Sequence, residues 1–371
     1  MRLGVVTTSF PRFPGDPAGG FVADHVRWLR HQGHQVEVIA ADDHQVIEQP
    51  RVTRVPSRAG LFYAGGAPEA LVGGFQLAAL HFSLRTGLAI AGRGWDAMIG
   101  HWLVPAAIAA IAAPRTPLIA IAHSGDVDLL CRLGLARPVL ALLKARRARV
   151  VFVAAHLRER MRAHVSGTLG TWLDRCEVVA MGIDVEALRA NPVPRLAGQV
   201  AFLGRLVEIK GVPVLLEALP GLCAGGEVVV AGDGPLADAV TKTTEACGAR
   251  YLGEVRGRAR DELLQSSEIV VLPSVEQGGR QEGAPVAAFE AMAAGAAVVA
   301  SKTGGLAELP ASSVTWVEPG SASELLAAVS ALRADDSARR AQIESGARVA
   351  EGRDWSRVGP QLSPHQVAPG R

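Results

Sequence analysis

One stretch constrains the fold more than any other: Arg280 to Met292, reading Arg-Gln-Glu-Gly-Ala-Pro-Val-Ala-Ala-Phe-Glu-Ala-Met. It follows a strand-like run, Ile269 to Leu272, and a polar loop, Pro273 to Arg280. Pro285 stands where a first helical position is expected, because its fixed φ suits a helix start and its missing N–H costs nothing there. A strand, a loop ending near Ala284 and then a helix leave backbone N–H groups uncommitted at a positive dipole end. That is an anion site. Two carboxylates bracket it, Glu282 in the loop and Glu290 in the helix. An anion site flanked by hydroxyl-binding carboxylates suits a sugar nucleotide, which carries diphosphate, ribose and hexose together.

The start of the chain repeats the strand–loop–helix order. Leu3 to Thr7 reads as a buried strand, and a glycine- and proline-rich loop runs from Ser9 to Gly20. Phe21 then opens a helical pattern, with Val22, Val26 and Leu29 at i, i+4 and i+7. Gln35 to Ala40 alternates like a second strand, giving a unit of the doubly wound type. The loop lacks G-x-G-x-x-G, so a nicotinamide fingerprint is absent. Instead Gly19-Gly20 stands at the helix entrance, where side chains would block a ligand from the backbone; a simple flexible turn is the plainer alternative. From Arg58 to Gly94 the pattern is weak, although Leu61-Phe62-Tyr63 and Leu77 to Leu84 are apolar. Trp95 to Ile99 leads to His101-Trp102, and Leu118 to Ala122 reads as a strand.

His123-Ser124-Gly125-Asp126 follows that strand. A polar cluster at a strand's carboxyl end, in an open parallel sheet, is where ligands usually sit. The plainer reading is that Asp126 or Asp128 caps the next helix. Further on, Val200 to Leu203 is a strand that runs into Gly204-Arg205-Leu206-Val207-Glu208-Ile209-Lys210-Gly211 and then an apolar helix. Arg205 offers a planar fork and Lys210 a flexible point charge, both suited to diphosphate oxygens. Glu227 to Ala231 and Val298 to Ala300 are further strands. Gly232-Asp233-Gly234-Pro235 is a structural turn, and Thr303-Gly304-Gly305-Leu306 is a loop where backbone can approach phosphate. Helical patterns, Ala322 to Leu332 and Ala338 to Val349, precede Trp355 and the tail.

These segments resemble retaining glycosyltransferases of family 4, of the GT-B fold. Glu282 to Glu290 has the family's E-x7-E spacing, continued by Glu-Ala-Met-Ala-Ala-Gly; Gly204 to Gly211 resembles its G-R-L-x-x-x-K-G segment. His123 to Asp126 is similar to its H-G-x-D element, with Ser124 departing from it. Met181-Gly182-Ile183-Asp184 is similar to its N-G-V-D element, with Met for Asn. The resemblance implies two α/β doubly wound, Rossmann-like domains facing each other across a cleft. The expected boundaries are 1–190 for an acceptor-side domain, 191–199 for a linker, 200–352 for a donor-binding domain, and 353–371 for a tail returning to the first domain. It also implies roles. Gly19, Gly20, Gly283, Ala284 and Pro285 face donor phosphate. Arg205 and Lys210 bind the diphosphate, Glu290 the ribose and Glu282 the hexose. His123 touches hexose hydroxyls near the reacting carbon, Val255 follows a short strand facing the nucleobase, and His101 and Asp126 lie on the acceptor side. His123, Arg205, Lys210 and Glu282 form the expected catalytic set. The family commonly places a serine after the strand Val150 to Ala155, where this chain has Ala154-Ala155.

Composition narrows the partners. With 371 residues, two domains are expected, since single cores rarely grow beyond about 250–300 residues. The net charge of +2 gives no bulk drive toward nucleic acid. The four cysteines form no C-x-x-C pair, which argues against a metal site or disulfide framework and fits a reducing cytoplasm. No leader-like opening is seen, and the longest apolar run, Trp102 to Pro114, is too short to span a bilayer. Arg132 to Arg162 carries nine basic residues and one acidic residue, interleaved with leucines. Both a solvated helix face and docking on an anionic membrane surface fit it. The expected partners are a nucleotide diphosphate sugar, with no cofactor or metal, and a glycan or polyprenyl-diphosphate-linked glycan acceptor. The setting implied is bacterial polysaccharide, lipopolysaccharide or other cell-envelope synthesis at the cytoplasmic membrane. A sugar-nucleotide epimerase and a non-catalytic glycan-binding subunit are the rival readings.

Overall fold

A computed structural model describes residues 1–16, 18–42, 47–57 and 76–364. The apolar Leu61-Phe62-Tyr63 segment and the last seven residues lie outside the described residues. By its contacts the chain divides into two units. The first is Met1–Gly182 with the residues from Trp355 onward, and the second is Ile183–Asp354.

In the first unit a parallel sheet is built from β1 (Arg2–Thr7), β2 (Gln35–Asp42), β3 (Val52–Pro56), β4 (Ala97–His101), β5 (Leu118–Ala122), β6 (Arg149–Phe152) and β7 (Glu177–Val178). Its order is β3-β2-β1-β4-β5-β6-β7. Leu3 pairs with both Val36 and Ala97, so β1 sits between β2 and β4. Leu3, Val5 and Val6 are fully buried. Helices cover both faces of such a sheet, which explains why β1, β4 and β5 are continuous apolar runs rather than alternating ones. The second unit holds β8 (Leu196–Leu203), β9 (Val228–Ala231), β10 (Arg250–Tyr251), β11 (Ser267–Leu272), β12 (Ala297–Ser301) and β13 (Thr315–Val317). Its order is β10-β9-β8-β11-β12-β13, again all parallel. In each sheet the strand order reverses once, at β1/β4 and at β8/β11. The carboxyl ends of those strands form the crevice where doubly wound sheets bind ligands.

The boundary lies earlier than the expected 190/200. Asp184 caps the helix Val185–Arg189 by accepting from the Ala187 N–H at 2.9 Å. Arg189 donates to the Ala293 carbonyl at 3.1 Å, and the Gln265 amide donates to the Leu188 carbonyl at 2.9 Å. These bonds tie residues 183–190 into the second unit. β8 begins at Leu196, so half of the expected linker is strand. At the other end, Trp355 packs on Gly182, where a Cβ would come within 2.6 Å of its ring.

The basic stretch Arg132 to Arg162 is used by the fold. Arg146 donates to the Ala110 and Ala113 carbonyls at the end of the helix Leu103–Ala112. Lys144 reaches the Thr168 carbonyl at 2.7 Å, and Arg149 pairs with Glu177 through two nitrogens. Arg160 pairs with Asp128 at 2.9 Å and Arg162 with Asp174 at 2.9 Å. Cations suit helix carboxyl ends, where carbonyls lack partners. Of the basic residues in this stretch, Lys144, Arg146 and Arg149 thus have partners within the first unit. Ala154, standing where a serine was expected, is the N-cap of the helix Ala155–Arg162 and has no side-chain cap. A serine there would add about 1 kcal/mol.

Candidate functional site

The switch point of the second unit gathers three loops. The loop after β8 carries Arg205 and Lys210, the loop after β11 carries Ser274 and Glu282, and the loop after β12 carries Gly304-Gly305. Backbone contacts lock them together. The Val275 N–H donates to the Ile209 carbonyl at 3.0 Å and the Gly305 N–H to the Glu282 carbonyl at 2.9 Å. Gly211 has φ +71°, and a Cβ there would lie 1.7 Å from the Pro273 carbonyl oxygen. At Gly305 a Cβ would lie 1.8 Å from the Gly283 oxygen. Gly304 and Gly305 thus use their missing side chains against residues 281–285.

The locked loops bring Lys210 and Glu282 together, with Nζ 2.6 Å from Oε2. Ser274 Oγ donates to the same carboxylate oxygen at 3.4 Å. Both side chains of the pair remain partly exposed, at 24% and 16%. The exposed Arg205 side chain makes no hydrogen bond or ion pair among the described residues. It follows the end of β8 by two residues, so its charge is free to meet an anion. The helix Val286–Ala293 starts one residue later than expected, with Pro285 as its N-cap. Its Glu290 forms an ion pair with Arg260 of the helix Gly257–Ser266. Sequence reasoning missed Arg260, which lies in a helix of mixed charge with nothing to single it out. Val255 sits in the loop after β10, at the edge of the sheet away from the β8/β11 switch point.

The switch point of the first unit is different in kind. Gly19 is the N-cap of the helix Gly20–His31, with φ +66°, and a Cβ there would lie 2.4 Å from the Ser9 carbonyl oxygen. A Cβ at Gly20 would meet nothing within 4 Å. Of the expected pair, Gly19 is demanded by the loop itself and Gly20 faces open space. Beyond them, three imidazoles stand in file. His25 Nδ1 is 3.1 Å from His101 Nε2, and His101 Nδ1 is 3.2 Å from His123 Nε2. All three are buried. Burial pushes His25 and His123 down to about 3, with His25 adding to the shift at His123. Burial first, then His25 and His123, hold His101 well below the usual imidazole range.

Aromatic rings surround the file. Phe21 and Trp102 lie 5.0 and 4.8 Å from the His123 ring, and Trp355 stacks on His25 at 5.1 Å. Trp102 has φ +67°, a left-handed backbone that costs a bulky residue about 1–3 kcal/mol. Such strain persists where surrounding structure enforces it, and here it turns the chain sharply after His101.

Two expectations about acceptor contacts are corrected. His101 is fully buried, with both ring nitrogens facing other imidazoles, so it presents nothing to an acceptor. Asp126 accepts from the Leu103 and His123 N–H groups, one at each oxygen. It holds two helix starts together, in line with the capping alternative. Burial, opposed by these N–H groups, pushes its carboxyl up to about 7. His25 was missed by the sequence reading. Its signal was a histidine on the apolar face that also carries Val22, Val26 and Leu29.

Two family models match successive parts of the chain: "Glycosyltransferase Family 4" over residues 18–187 and "Glycosyl transferases group 1" over 197–335. A GDP-mannose-dependent alpha-(1-6)-phosphatidylinositol monomannoside mannosyltransferase of Mycobacterium tuberculosis is 30% identical over 56% of this chain and 59% of its own length. A phosphatidyl-myo-inositol mannosyltransferase of Propionibacterium freudenreichii is 29% identical over 98% of this chain and 93% of its own. The chain spans 32% to 59% of the first curated relatives it matches. Among solved structures, Anabaena HepE in complex with UDP has a TM-score of 0.74 at 16% identity, over 99% of this chain and all of that one. Two matched halves, a full-length relative and a shared two-domain architecture place this chain in glycosyltransferase family 4, among the group 1 enzymes of the GT-B fold.

Proposed function

We propose that the protein transfers a hexosyl group, with retention of anomeric configuration, from a nucleoside diphosphate sugar to a lipid-linked glycan or lipid acceptor. The observation that carries this reading is the β8/β11 switch point: an exposed Arg205 that makes no side-chain bond among the described residues, on the same loop as Lys210 of the partly exposed Lys210–Glu282 pair. A diphosphate would draw Arg205 and Lys210 onto its oxygens, so that these cations, rather than a metal, offset the charge that grows on the leaving group. Glu282, released from Lys210, would take hexose hydroxyls. Glu290 would exchange Arg260 for the ribose hydroxyls. His123 would face the hexose, Gly20 the donor phosphate, and the backbone near Val255 the base. The expected Glu282 and Glu290 leave no further carboxylate assigned as nucleophile. The acceptor hydroxyl would then attack C1 on the face the diphosphate leaves. The C1–O bond to phosphate breaks, the new C1–O bond forms, and the hydroxyl proton passes to the departing phosphate oxygen.

The relatives' names support a lipid acceptor, since two of them are named for phosphatidylinositol substrates. So does the helix Gln76–Ile90. Its Leu77, Leu80, Leu84 and Leu88 are 79%, 56%, 60% and 76% exposed, at positions that share one face. Arg85 and His81 are joined on its flank, and no acidic residue occurs from 76 to 95. An apolar stripe with a basic border suits the interface of an anionic cytoplasmic leaflet. This face would offer a surface for membrane contact, alongside the basic stretch Arg132 to Arg162, in the setting of cell-envelope glycan synthesis.

A thermal-shift screen with UDP-, GDP- and ADP-hexoses, followed by product analysis with lipid acceptors, tests the reading. A ligand at 100 times its Kd adds about 2.7 kcal/mol of stability. A disaccharide or glycolipid product is expected. Conversion of the donor alone to an epimer would establish the epimerase, and no shift with any nucleotide would establish the non-catalytic reading.

A further inference from the structure

Two cysteines of the second unit meet in space although they stand 24 positions apart in the chain. Cys223 lies in the last turn of the helix Val212–Ala224, and Cys247 closes the helix Ala237–Cys247. Both helices stop at a glycine, Gly225 for the first and Gly248, with φ +76°, for the second. Their carboxyl ends bring Cys223 Sγ within 3.4 Å of Cys247 Sγ, with the Cys223 thiol donating. Both cysteines are free and half-buried, and Ala224, Glu227, Glu245 and Gly248 around them are exposed. A disulfide holds its sulfurs about 2 Å apart, so a shift of about 1.4 Å closes the bond. A cation attends the pair. Arg333 donates through Nε to the Gly198 carbonyl at 3.0 Å and through Nη1 to the Leu222 carbonyl at 2.8 Å. Its Nη2 is buried and has no hydrogen-bond partner among the described residues. That guanidinium favours a thiolate at Cys223.

We propose that Cys223 and Cys247 are a modification site, which closes a reversible disulfide by exchange with a low-molecular-weight disulfide. Burial first, then the bond to Cys247, push the Cys223 thiol up to about 12, against the pull of Arg333. Cys223 therefore keeps its proton at neutral pH, and the first attack falls to Cys247. Its thiolate displaces one thiolate from the small disulfide and forms a mixed disulfide. Cys223 then loses its proton beside Arg333 and attacks the Cys247 sulfur, expelling the second thiolate. Two protein thiols are oxidised, one small disulfide is reduced to two thiols, and the two protons go to the released sulfurs. An excess of the small thiol runs the same steps backward. The bond staples two helices that are both rooted in the loop after β8. The first begins at Gly211, next to Lys210, and the Leu236 N–H before the second donates to the Leu206 carbonyl at 3.1 Å. Cys223 lies about 18 Å along its helix from that loop. The bridge thus fastens the far ends of the two helices and spares the loop itself.

The test treats the native full chain with oxidised glutathione, blocks the remaining thiols under denaturing conditions and maps the tryptic peptides by mass. Cleavage at Lys210, Lys242 and Arg250 places Cys223 in 211–242 and Cys247 in 243–250, so the bridge is read as one fragment joining the two. That fragment is expected, two hydrogens lighter than the sum of its parts, in a chain that remains monomeric on a non-reducing gel. The buried Cys131 and Cys176 should stay free. The Tm of the oxidised protein should rise by about 5–10 °C, because the bond constrains the unfolded chain, and dithiothreitol should return it to the starting value. In Cys223→Ser, Cys247 should carry a glutathione adduct and the Tm should not rise. In Cys247→Ser, Cys223 should react about tenfold more slowly or not at all. Two free or two separately capped cysteines in the oxidised wild type overturn the proposal. So does a joined fragment found only in cross-linked dimers, or one that lowers the Tm. If a serine variant does not fold, the wild-type fragment and its reversible Tm shift decide.

Discussion

Arg205 and Lys210 are both cations of one loop, yet they start from different surroundings. Arg205 is exposed and makes no side-chain bond among the described residues, whereas Lys210 is paired with Glu282 and would have to leave it to bind a phosphate. Replacing either with Ala should lower kcat on the order of a hundredfold, because each contact strengthens as charge grows on the leaving group. Arg205→Ala should leave the Tm unchanged, since its side chain makes no bond among the described residues; near-normal kcat in both variants would remove the diphosphate assignment. On the proposed reading, the two glutamates would divide by ligand. Glu290→Gln should weaken binding of a free nucleoside diphosphate, while Glu282→Gln should spare it, because only the intact sugar nucleotide carries the hexose. Calorimetry with the diphosphate alone separates them, and equal weakening would reverse or merge the two roles. Arg260, paired with Glu290 in this structure, would be freed by a ribose at Glu290.

Elements meet this site through close backbone approach. The β8, β11 and β12 loops touch at Gly211 and Gly305, where a Cβ would fall inside 2 Å of a carbonyl oxygen. Gly305→Ala should therefore cost about 2–3 kcal/mol or displace the Glu282 loop. Gly20→Ala meets open space and should keep the Tm, with turnover lost only if phosphate comes to that backbone. Thermal melts of the pair, run beside turnover, check both statements; a stable, active Gly305→Ala would show that the loops are not locked. The helix Gln76–Ile90 raises a separate expectation. Replacing Leu80, Leu84 and Leu88 with Gln should abolish sedimentation with anionic vesicles at low salt without lowering the Tm, since these side chains are exposed. Failure of the parent protein to sediment would point to a water-soluble acceptor instead.

Across the whole molecule, pH acts on the first unit through its buried imidazoles and one buried carboxyl. His25 and His123 titrate near 3 in the fold and near 6.5 when unfolded. Their contribution is complete above 6.5 and is lost progressively as pH falls toward 3, because the unfolded chain then binds more protons. Asp126 works in the opposite sense. Its raised value, about 7, means that the fold gains as pH falls from about 7 to 4. Three depressed imidazoles outweigh one raised carboxyl, so the Tm should fall from pH 7 to pH 5. His25→Asn should flatten that slope. A Tm that is constant or rises on acidification would mean that the imidazoles are not buried as described. The same balance ties the tail to the site, since Trp355 stacks on His25 within the first unit.

What the sequence determined alone was the alternation of short apolar runs with helical patterns, and the motifs at the ends of those runs. Local rules suffice there. Ile269 to Leu272 and Leu118 to Ala122 are strands because buried parallel strands are continuous in apolar residues. Glu282, Arg205 and Lys210 stood out as candidates because loop residues after such strands commonly face ligands. The tertiary structure decided everything that depends on which strands are neighbours. Only the β8/β11 pairing puts Lys210 beside Glu282, 72 positions later in the chain. Only the β1/β4/β5 order lines up His25, His101 and His123 from three separate segments. β3 was not read, because it is half-exposed and short, and the helix Gln76–Ile90 was seen only as a weakly patterned apolar run, because it is apolar on both faces. The partners of Gly304, Gly305 and Asp126 also became visible only in three dimensions. A glycine or a carboxylate looks the same in sequence whether it meets a ligand or the protein's own backbone, and packing alone determines which partner reaches it first.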